Sequence, residues 1–423
     1  MITANDSDQA NATLLPLNED KDPQNTQPNM PNTIAKAARG PLSSLRIIEF
    51  AGIGPVPFGA MLLADLGAEV LRIDRFGGYP PPDASLKFEE MGPTAIFNRS
   101  RHTVRVDLKS PAGRDLILRL VSNCDALIEG YRPGTMERLG VGPSACHKAN
   151  PRLTYVRLTG WGQDGPLAQE PGHDLNYIGM SGALSLFERD GALPAGIPPL
   201  IRDMAGGGLF MAFGLLASVL EARQSGLGQV VDSTIVDGSA SLFALLQSLH
   251  KAGAHAAPAG GNVLDGGRHF YRTYRCADGG HVAVGAIEPA FRQALLRKLD
   301  LMSDNRFLSS DIADDAYCTQ KLADIFGSQP RDHWEAFFTN AGACVTPVLS
   351  IDEAERHPAA RARDSYVTID GVTQYAPMPR FGRTPGKIGV SPNEASRHDP
   401  SALRGWGLSP REIEDLKAAS AIE

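Results

Sequence analysis

Two proton-carrying side chains stand back to back at His173 and Asp174, within PGHDLNY (Pro171 to Tyr177), directly ahead of the apolar run IGMSGALSLF. An imidazole exchanges protons near neutral pH, whereas a carboxylate is ordinarily an anion there, so the pair offers a proton carrier beside a charge. The apolar run predicts a helix, and the unpaired N–H groups at a helix start favour negative charge. That start suits an oxyanion; it equally suits a plain N-cap at Asp174, with His173 in the loop. Asp203 follows His173 by thirty residues, again just before a long apolar run, where an N-cap is once more the alternative to chemistry. Glu288 ends the strand-like HVAVGAI before Pro289, and its carboxylate either orients an imidazole or caps the helix that follows.

A basic set accompanies these groups: Arg75 after EVLRID, Lys109 after VRVDL, and Arg132 and Arg138 in EGYRPGTMERLG. Each lies at a predicted strand end or in the first turns beyond one. That shared placement distinguishes them from ordinary solvated surface charges and suits a polyanionic ligand.

The elements that must position these residues read as α/β. LRIIEF (Leu45 to Phe50), the second half of AGIGPVPFGAMLLADLGA and EVLRIDR predict a βαβ unit, whose parallel strands need the crossover helix. Gly52 and Gly54 raise a dinucleotide site, but the G-x-G-x-x-G fingerprint has Pro57 where its third glycine belongs. Asp74, twenty-two residues after Gly52, imitates the ribose-binding acid; Arg75 beside it suits a phosphate equally well, so a nicotinamide site is disfavoured. HTVRVDL, DALIEGY and LTYVRLTG predict further strands, with helices over PAGRDLILRLVSN and TMERLG. The expected fold is a Rossmann-like doubly wound parallel sheet that binds ligands at the strands' carboxyl ends.

Beyond it, QVVDSTIVDG predicts a strand and a cap, SASLFALLQSLHKAG one helix, and AGAHAAPAGG a linker. FYRTYRCADGG, HVAVGAIE, PAFRQALLRKLDL and VTPVLS compose a second, smaller α+β pattern. The expected boundaries are a disordered tail over 1–40, a large domain over 41–233, a linker over 234–267 and a small domain over 268–350. A final segment, 351–423, carries a last helix in SPREIEDLKAAS and either extends the small domain or returns to the large one.

Composition narrows the classes of function. The 423 residues carry 41 Lys+Arg against 48 Asp+Glu, net −7, a surface that does not advertise nucleic acid or anionic membrane as its partner. Cys124, Cys146, Cys276, Cys318 and Cys344 are odd in number and never form CxxC, which argues against a disulfide framework or zinc knuckle and for a reducing, cytoplasmic setting without a metal. The first forty residues lack the pattern of a targeting signal. MAGGGLFMAFGLLASVL (Met204 to Leu220), flanked by Asp203 and Glu221, is at the short end for a membrane span and is expected to be a buried core helix.

Eight stretches between about Leu42 and Pro358 then make the chain recognisable: GAMLLADLGAEVLRIDR, VDLK, EGYRPGTMERLG, LTGWGQDGP, GHDLNY, GQVVDSTIVDGSA, LDGG-x-x-FY and AVGAIEP. They resemble the family III CoA-transferase superfamily, CaiB/BaiF type, and within it the α-methylacyl-CoA racemases. The resemblance implies an interlocked homodimer whose active site lies between the large domain of one subunit and the small domain of the other. It implies a chain that starts in the large domain, crosses to the small one and returns, and no cofactor beyond the CoA that enters as part of the thioester substrate. By the same resemblance, His173 and Asp203 are the acid/base pair of a 2-methylacyl-CoA racemase. Glu288 supports the histidine, and the Asp174 N–H meets the enolate oxygen. CoA is expected at Arg75, Val106, Asp107, Leu108, Lys109, Gly130, Tyr131, Arg132, Arg138 and the segment Gly172 to Tyr177. The alternative is a CoA-transferase, since transferases of the superfamily use an aspartate at the Asp174 position as nucleophile and generally lack the histidine before it. Three departures stand out: Ile201-Arg202 ahead of Asp203 where the racemases are uncharged, the N-terminal extension, and a tail after Pro358 that is only loosely similar.

Overall fold

The computed structural model describes residues 40–77, 91–188, 193–194, 198–309 and 311–423; the expected disordered tail, up to residue 39, lies outside them. Six parallel strands form the main sheet: β1 (Arg46–Phe50), β2 (Glu69–Arg75), β3 (His102–Val106), β4 (Ala126–Glu129), β5 (Thr154–Thr159) and β6 (Val230–Thr234). Their order, β3-β2-β1-β4-β5-β6, is that of a doubly wound sheet. Alternate residues of β1 enter opposite cores: Ile47 packs with Val56, Ala60 and Leu63 of α1 (Pro55–Asp65), and Ile48 with Leu116, Ile117 and Leu120 of α2 (Pro111–Val121). Coverage of both faces explains why these strands read as apolar runs rather than alternating ones. Two short helices follow β4, α3 (Thr135–Arg138) and α4 (Pro143–Ala149); α4 carries no strong apolar period and was not expected.

Two buried ion pairs fix the sheet's surroundings. Glu49, in the middle of β1, receives Arg101 Nη1 at 2.6 and 2.8 Å, both side chains wholly buried. Arg99 reaches Asp65 at 2.7 Å and, on its other side, Gln374 Oε1 and the Tyr375 carbonyl at 2.8 Å. Removing one partner from such a pair costs on the order of 3–5 kcal/mol.

A helical layer carries the candidate chemistry. α5 (Asp174–Ser181) comes first, followed by a π-helical stretch, Leu200–Leu209, that runs into α6 (Phe210–Ser225). Gly206, Gly207 and Gly208 bring the π-helical stretch against Ser239 of α7 (Ile235–Leu242) and Pro55 of α1: a Cβ on Gly208 would lie 2.5 Å from the Pro55 carbonyl oxygen. The opposite face is open, with Phe213 69% and Leu220 61% exposed, so the expected core helix is buried on one side only. By length and composition Leu200–Ser225 is also long enough to cross a membrane, but its glycine face is packed against α1 and α7 inside the α/β layer. The single helix expected over SASLFALLQSLHKAG is two, α7 and α8 (Ala244–Lys251), broken at Phe243, whose φ of −105° and ψ of 29° leave the helical region.

A second core forms on the antiparallel strands β7 (Tyr271–Arg275), β8 (His281–Gly285) and β9 (Val345–Val348). It is covered by α9 (Pro289–Lys298), α10 (Ile312–Phe326) and α11 (Arg331–Phe338), of which only α9 was expected. Chain-terminal residues pack on the main sheet: Leu403, Trp406, Ile413 and Ile422 share the α2-side core, and the Asp107 N–H donates to the Ala421 carbonyl at 2.9 Å.

Candidate functional site

Consecutive crossovers run in opposite directions from β1 and β4, which opens a crevice at their carboxyl ends. Gly130 passes so close to α1 that a Cβ there would meet Val56 Cγ2 at 2.9 Å. Tyr131 is seated by its N–H on Glu129 Oε2 at 2.7 Å and by its hydroxyl on the Ala51 carbonyl at 3.4 Å. Gly54, at φ +73°, needs its left-handed freedom, and a Cβ on it would come within 3.1 Å of Asp203 Oδ2. Asp203 therefore lies over the switch point.

Asp203 is no N-cap. It belongs to the first turn of the π-helical stretch, where the Met204 N–H reaches back five residues to the Pro199 carbonyl at 3.3 Å. Burial, then the neighbouring Asp174 charge, pushes its carboxyl up to about 6, against the opposing pull of Arg202. Its Oδ1 is buried and has no hydrogen-bond partner among the described residues.

His173, rather than Asp174, takes the N-cap of α5, with an extended backbone and an N–H donated to Asn176 Oδ1 at 3.0 Å; its imidazole is exposed. Asp174 is the first helical residue. Its carboxylate pairs with Arg202 Nη2 at 2.6 Å and accepts the Asp203 N–H, while burial raises its pKa against the Arg202 charge. Arg202 itself is 1% exposed. These bonds fasten the start of α5 to the Asp203 turn, so His173 and Asp203 each stand one residue from a shared clamp.

Tyr177 supports the same corner. Its hydroxyl donates to the Gly172 carbonyl and its ring meets Trp161 edge-on at 4.9 Å. A Cβ on Gly160 would fall 2.1 Å from Tyr177 Cε1, so only glycine leaves room for that ring. Burial raises the tyrosine's pKa, Asp203 adds to the rise and Arg132 opposes it, which puts all three groups in one electrostatic neighbourhood.

The basic set follows the carboxyl edge. Arg75 and Val106 are register partners at the ends of β2 and β3. Val106 is 1% exposed and Leu108 packs on the core, so these two offer backbone rather than side chains. Asp107 accepts the Lys109 N–H at 2.9 Å; Lys109, Arg132 and Arg138 are exposed, the last held by Thr135 Oγ1 at 3.0 Å. Glu288 occupies the N-cap position of α9 without a side-chain cap bond, on the second core, and among the described residues no contact joins it to His173 within one chain.

A buried relay escaped sequence reading: Arg157 of β5 bonds Glu129 Oε1 and Glu137 Oε1, both at 2.9 Å, and so holds the Gly130–Arg132 loop. Its only sequence signal is that Glu129 and Arg157 are partners in the β4–β5 register, which needs the strands aligned first. Burial pushes the Glu129 carboxyl up to about 7, with Tyr131 and Arg157 opposing. Among the described residues no cluster of three or more His, Cys, Asp or Glu is arranged to hold a metal. Two concavities differ in relevance. One of about 290 Å³ sits between Ser122 and Arg223 at the strands' amino ends, away from these groups; another of about 190 Å³ opens beside Trp161 and Met180, adjoining α5.

The family model described as CoA-transferase family III matches residues 42–402. The chain is 37% identical over 384 residues to the α-methylacyl-CoA racemase of Homo sapiens, covering 90% of this chain and 97% of that one. It is 38% identical over 387 residues to the racemase of Mus musculus, with the same coverage. A crystal structure of a CaiB/BaiF family protein from Brucella suis, 24% identical, superposes with a TM-score of 0.73 over 87% of this chain and 99% of that one, a likeness of fold. With the family match running over residues 42–402, from before β1 to beyond the second core, the chain belongs to CoA-transferase family III.

Proposed function

We propose that the protein is a racemase of 2-methyl-branched acyl-CoA thioesters, working by a two-base 1,1-proton transfer through an enolate. The hydrogen α to a thioester carbonyl is weakly acidic, so its removal needs a base in contact and donors for the enolate oxygen. His173 takes the proton from one face as protonated Asp203 delivers one to the other; the reverse reaction exchanges their roles. The Asp174 N–H, first at the α5 start, receives the enolate oxygen. CoA binds along Arg75, Val106–Lys109, Gly130–Arg132, Arg138 and Gly172–Tyr177, where arginines meet phosphates bidentately. No further cofactor is required, because the thioester itself acidifies the α hydrogen. The working unit is a homodimer, in which the partner's copy of Glu288 supports His173. Large exposed apolar side chains on α5, α6 and α8, including Met180, Phe213 and Leu245, suit a second copy of the chain. We assign it to the cytoplasm, in keeping with five free cysteines.

The observation that carries this reading is the division of labour between the carboxylates. Asp174 is clamped by Arg202 and the Asp203 N–H, while burial pushes the Asp203 carboxyl up to about 6 and its Oδ1 is unengaged among the described residues, which suits it to carry a proton near neutral pH. A CoA-transferase using Asp174 as nucleophile is the second reading, favoured by the family and by a buried Asp174 Oδ1 that also lacks a partner among the described residues. Incubating a single 2-methylacyl-CoA epimer in heavy water separates the two. Deuterium entering at the α carbon with loss of optical purity supports the racemase; CoA exchange onto an added acid without α-deuterium establishes the transferase.

A further inference from the structure

On the second core, two guanidinium groups lie over one aromatic ring. Arg292 Cζ lies 3.7 Å from the Phe270 ring centroid and Arg268 Cζ 5.4 Å from it. The carboxylate that serves them, Asp315, is 6% exposed: it pairs with Arg268 Nε and His269 Nδ1 and its Oδ1 accepts the His269 N–H at 3.2 Å, while Oδ2 makes no hydrogen bond among the described residues. Burial lowers the His269 pKa, against the pull of Asp315. Among the described residues no carboxylate oxygen lies within 4 Å of the Arg292 nitrogens. Arg292 Nη2 donates to the Ile287 carbonyl at 2.9 Å, and Nε is buried without a partner. Two cations against one anion leave an excess positive charge, half-buried on a ring whose face compensates it only in part.

Its place gives that charge a purpose. The Ala286 N–H donates to the Phe270 carbonyl at 2.9 Å, so the cluster is bonded to the residues just ahead of Glu288. Arg292 stands one turn after Glu288 on α9, about 6 Å along the axis. Arg268 and His269 fill the two open positions of LDGG-x-x-FY. We infer that Arg292, backed by Arg268, binds an anionic group at the far end of the acyl chain, making the preferred substrates CoA thioesters of 2-methyl dicarboxylic acids. This rests on the racemase reading, which sets Glu288 beside the reacting carbon; a carboxylate a few methylenes beyond that carbon then meets a guanidinium fork matched to it.

The test compares 2-methyladipoyl-CoA, esterified at the carboxyl next to the methyl-bearing carbon, with 2-methylhexanoyl-CoA, by α-deuterium incorporation in heavy water. The wild-type kcat/KM ratio is expected to favour the dicarboxylic thioester by roughly 10- to 100-fold. Arg292→Gln should bring that ratio close to one and Arg292→Lys should retain part of it, with circular dichroism checking that both variants fold. A wild-type ratio near one, with both thioesters exchanging, overturns the inference without any variant, as does an undiminished ratio in folded Arg292→Gln. Exchange with neither thioester sinks the racemase reading itself and this inference with it.

Discussion

Replacing Arg202 with Met removes one charge from the clamp while keeping most of its volume. Two effects follow. Asp174 keeps the Asp203 N–H but loses its 2.6 Å partner, and breaking a buried pair costs on the order of 3–5 kcal/mol. The Asp174 side chain is 19% exposed, which reduces the loss to about 2–3 kcal/mol, or a melting temperature lower by roughly 3 °C. The second effect falls on Asp203, whose carboxyl stands at about 6 with Arg202 as its opposing cation. For charges on the order of 5–10 Å apart at an effective dielectric near 20, a unit charge is worth about 2–3 kcal/mol, which partial exposure and salt reduce to about 1, a little under one pH unit. Losing a cation disfavours the carboxylate, so the shift is upward. Either direction starts from the singly protonated His173–Asp203 pair, and the ratio of forward to reverse kcat/KM is fixed by the equilibrium constant, so both directions share one bell-shaped pH profile. Raising the Asp203 pKa should move the midpoints of that profile up on average by about a third to half a unit in Arg202→Met, read from initial racemisation rates across pH 5–8. Midpoints that stay in place, or move down, refute the coupling of Arg202 to Asp203.

Two further outcomes are expected. His173→Ala should slow exchange from the epimer whose proton His173 removes by about 10²–10⁴, and much less from the other, as mass spectrometry of α-deuterium incorporation into each epimer separately will measure; equal residual rates would reject the assigned faces. Gly160→Ala pushes a methyl group into the Tyr177 ring, 2.1 Å from Cε1, and should lower stability by about 1–3 kcal/mol and kcat/KM together; a variant that melts and reacts like the wild type would show that the ring has room to move.

The parts of the fold legible in sequence were those set by local pattern. β2 was expected over EVLRIDR and spans Glu69–Arg75, because an apolar strand followed by a charged end has one reading. α10 and α11 were not anticipated: DDAYCTQKLADIF and RDHWEAFF mix charge with aromatics, and their helical stripe becomes evident only beside the second core they cover. At the site, residue types were readable and partnerships were not. Asp203 resembles an N-cap because Pro198 and Pro199 precede an apolar run, yet the wide π turn draws it inside the helix. Arg202 stood out as an unexpected charge beside an acid, but its partner is Asp174, 28 positions earlier in the chain, which no local pattern pairs with it.

That wide turn also explains how an acid is positioned without spending its reactive oxygen. Gly208 lies against the Pro55 carbonyl and Gly59 against the Gly208 carbonyl, where a Cβ on either would come to 2.5 Å; Gly238 lies so close to the Gly206 carbonyl that a Cβ would come to 1.9 Å. Backbone-to-backbone contacts at these points keep the π-helical stretch from sliding along α1 or α7, since any shift would drive a carbonyl into a neighbouring chain. Asp203, one turn earlier, is thereby held over Gly54 by packing and by the Arg202–Asp174 pair beside it, and among the described residues its Oδ1 makes no hydrogen bond. A group that gains and loses a proton in every turnover cannot also anchor itself through the atom that carries the proton, because each protonation change would break the anchor. Glycine packing fixes the backbone and leaves Oδ1 available, which is the arrangement a reversible two-base reaction requires.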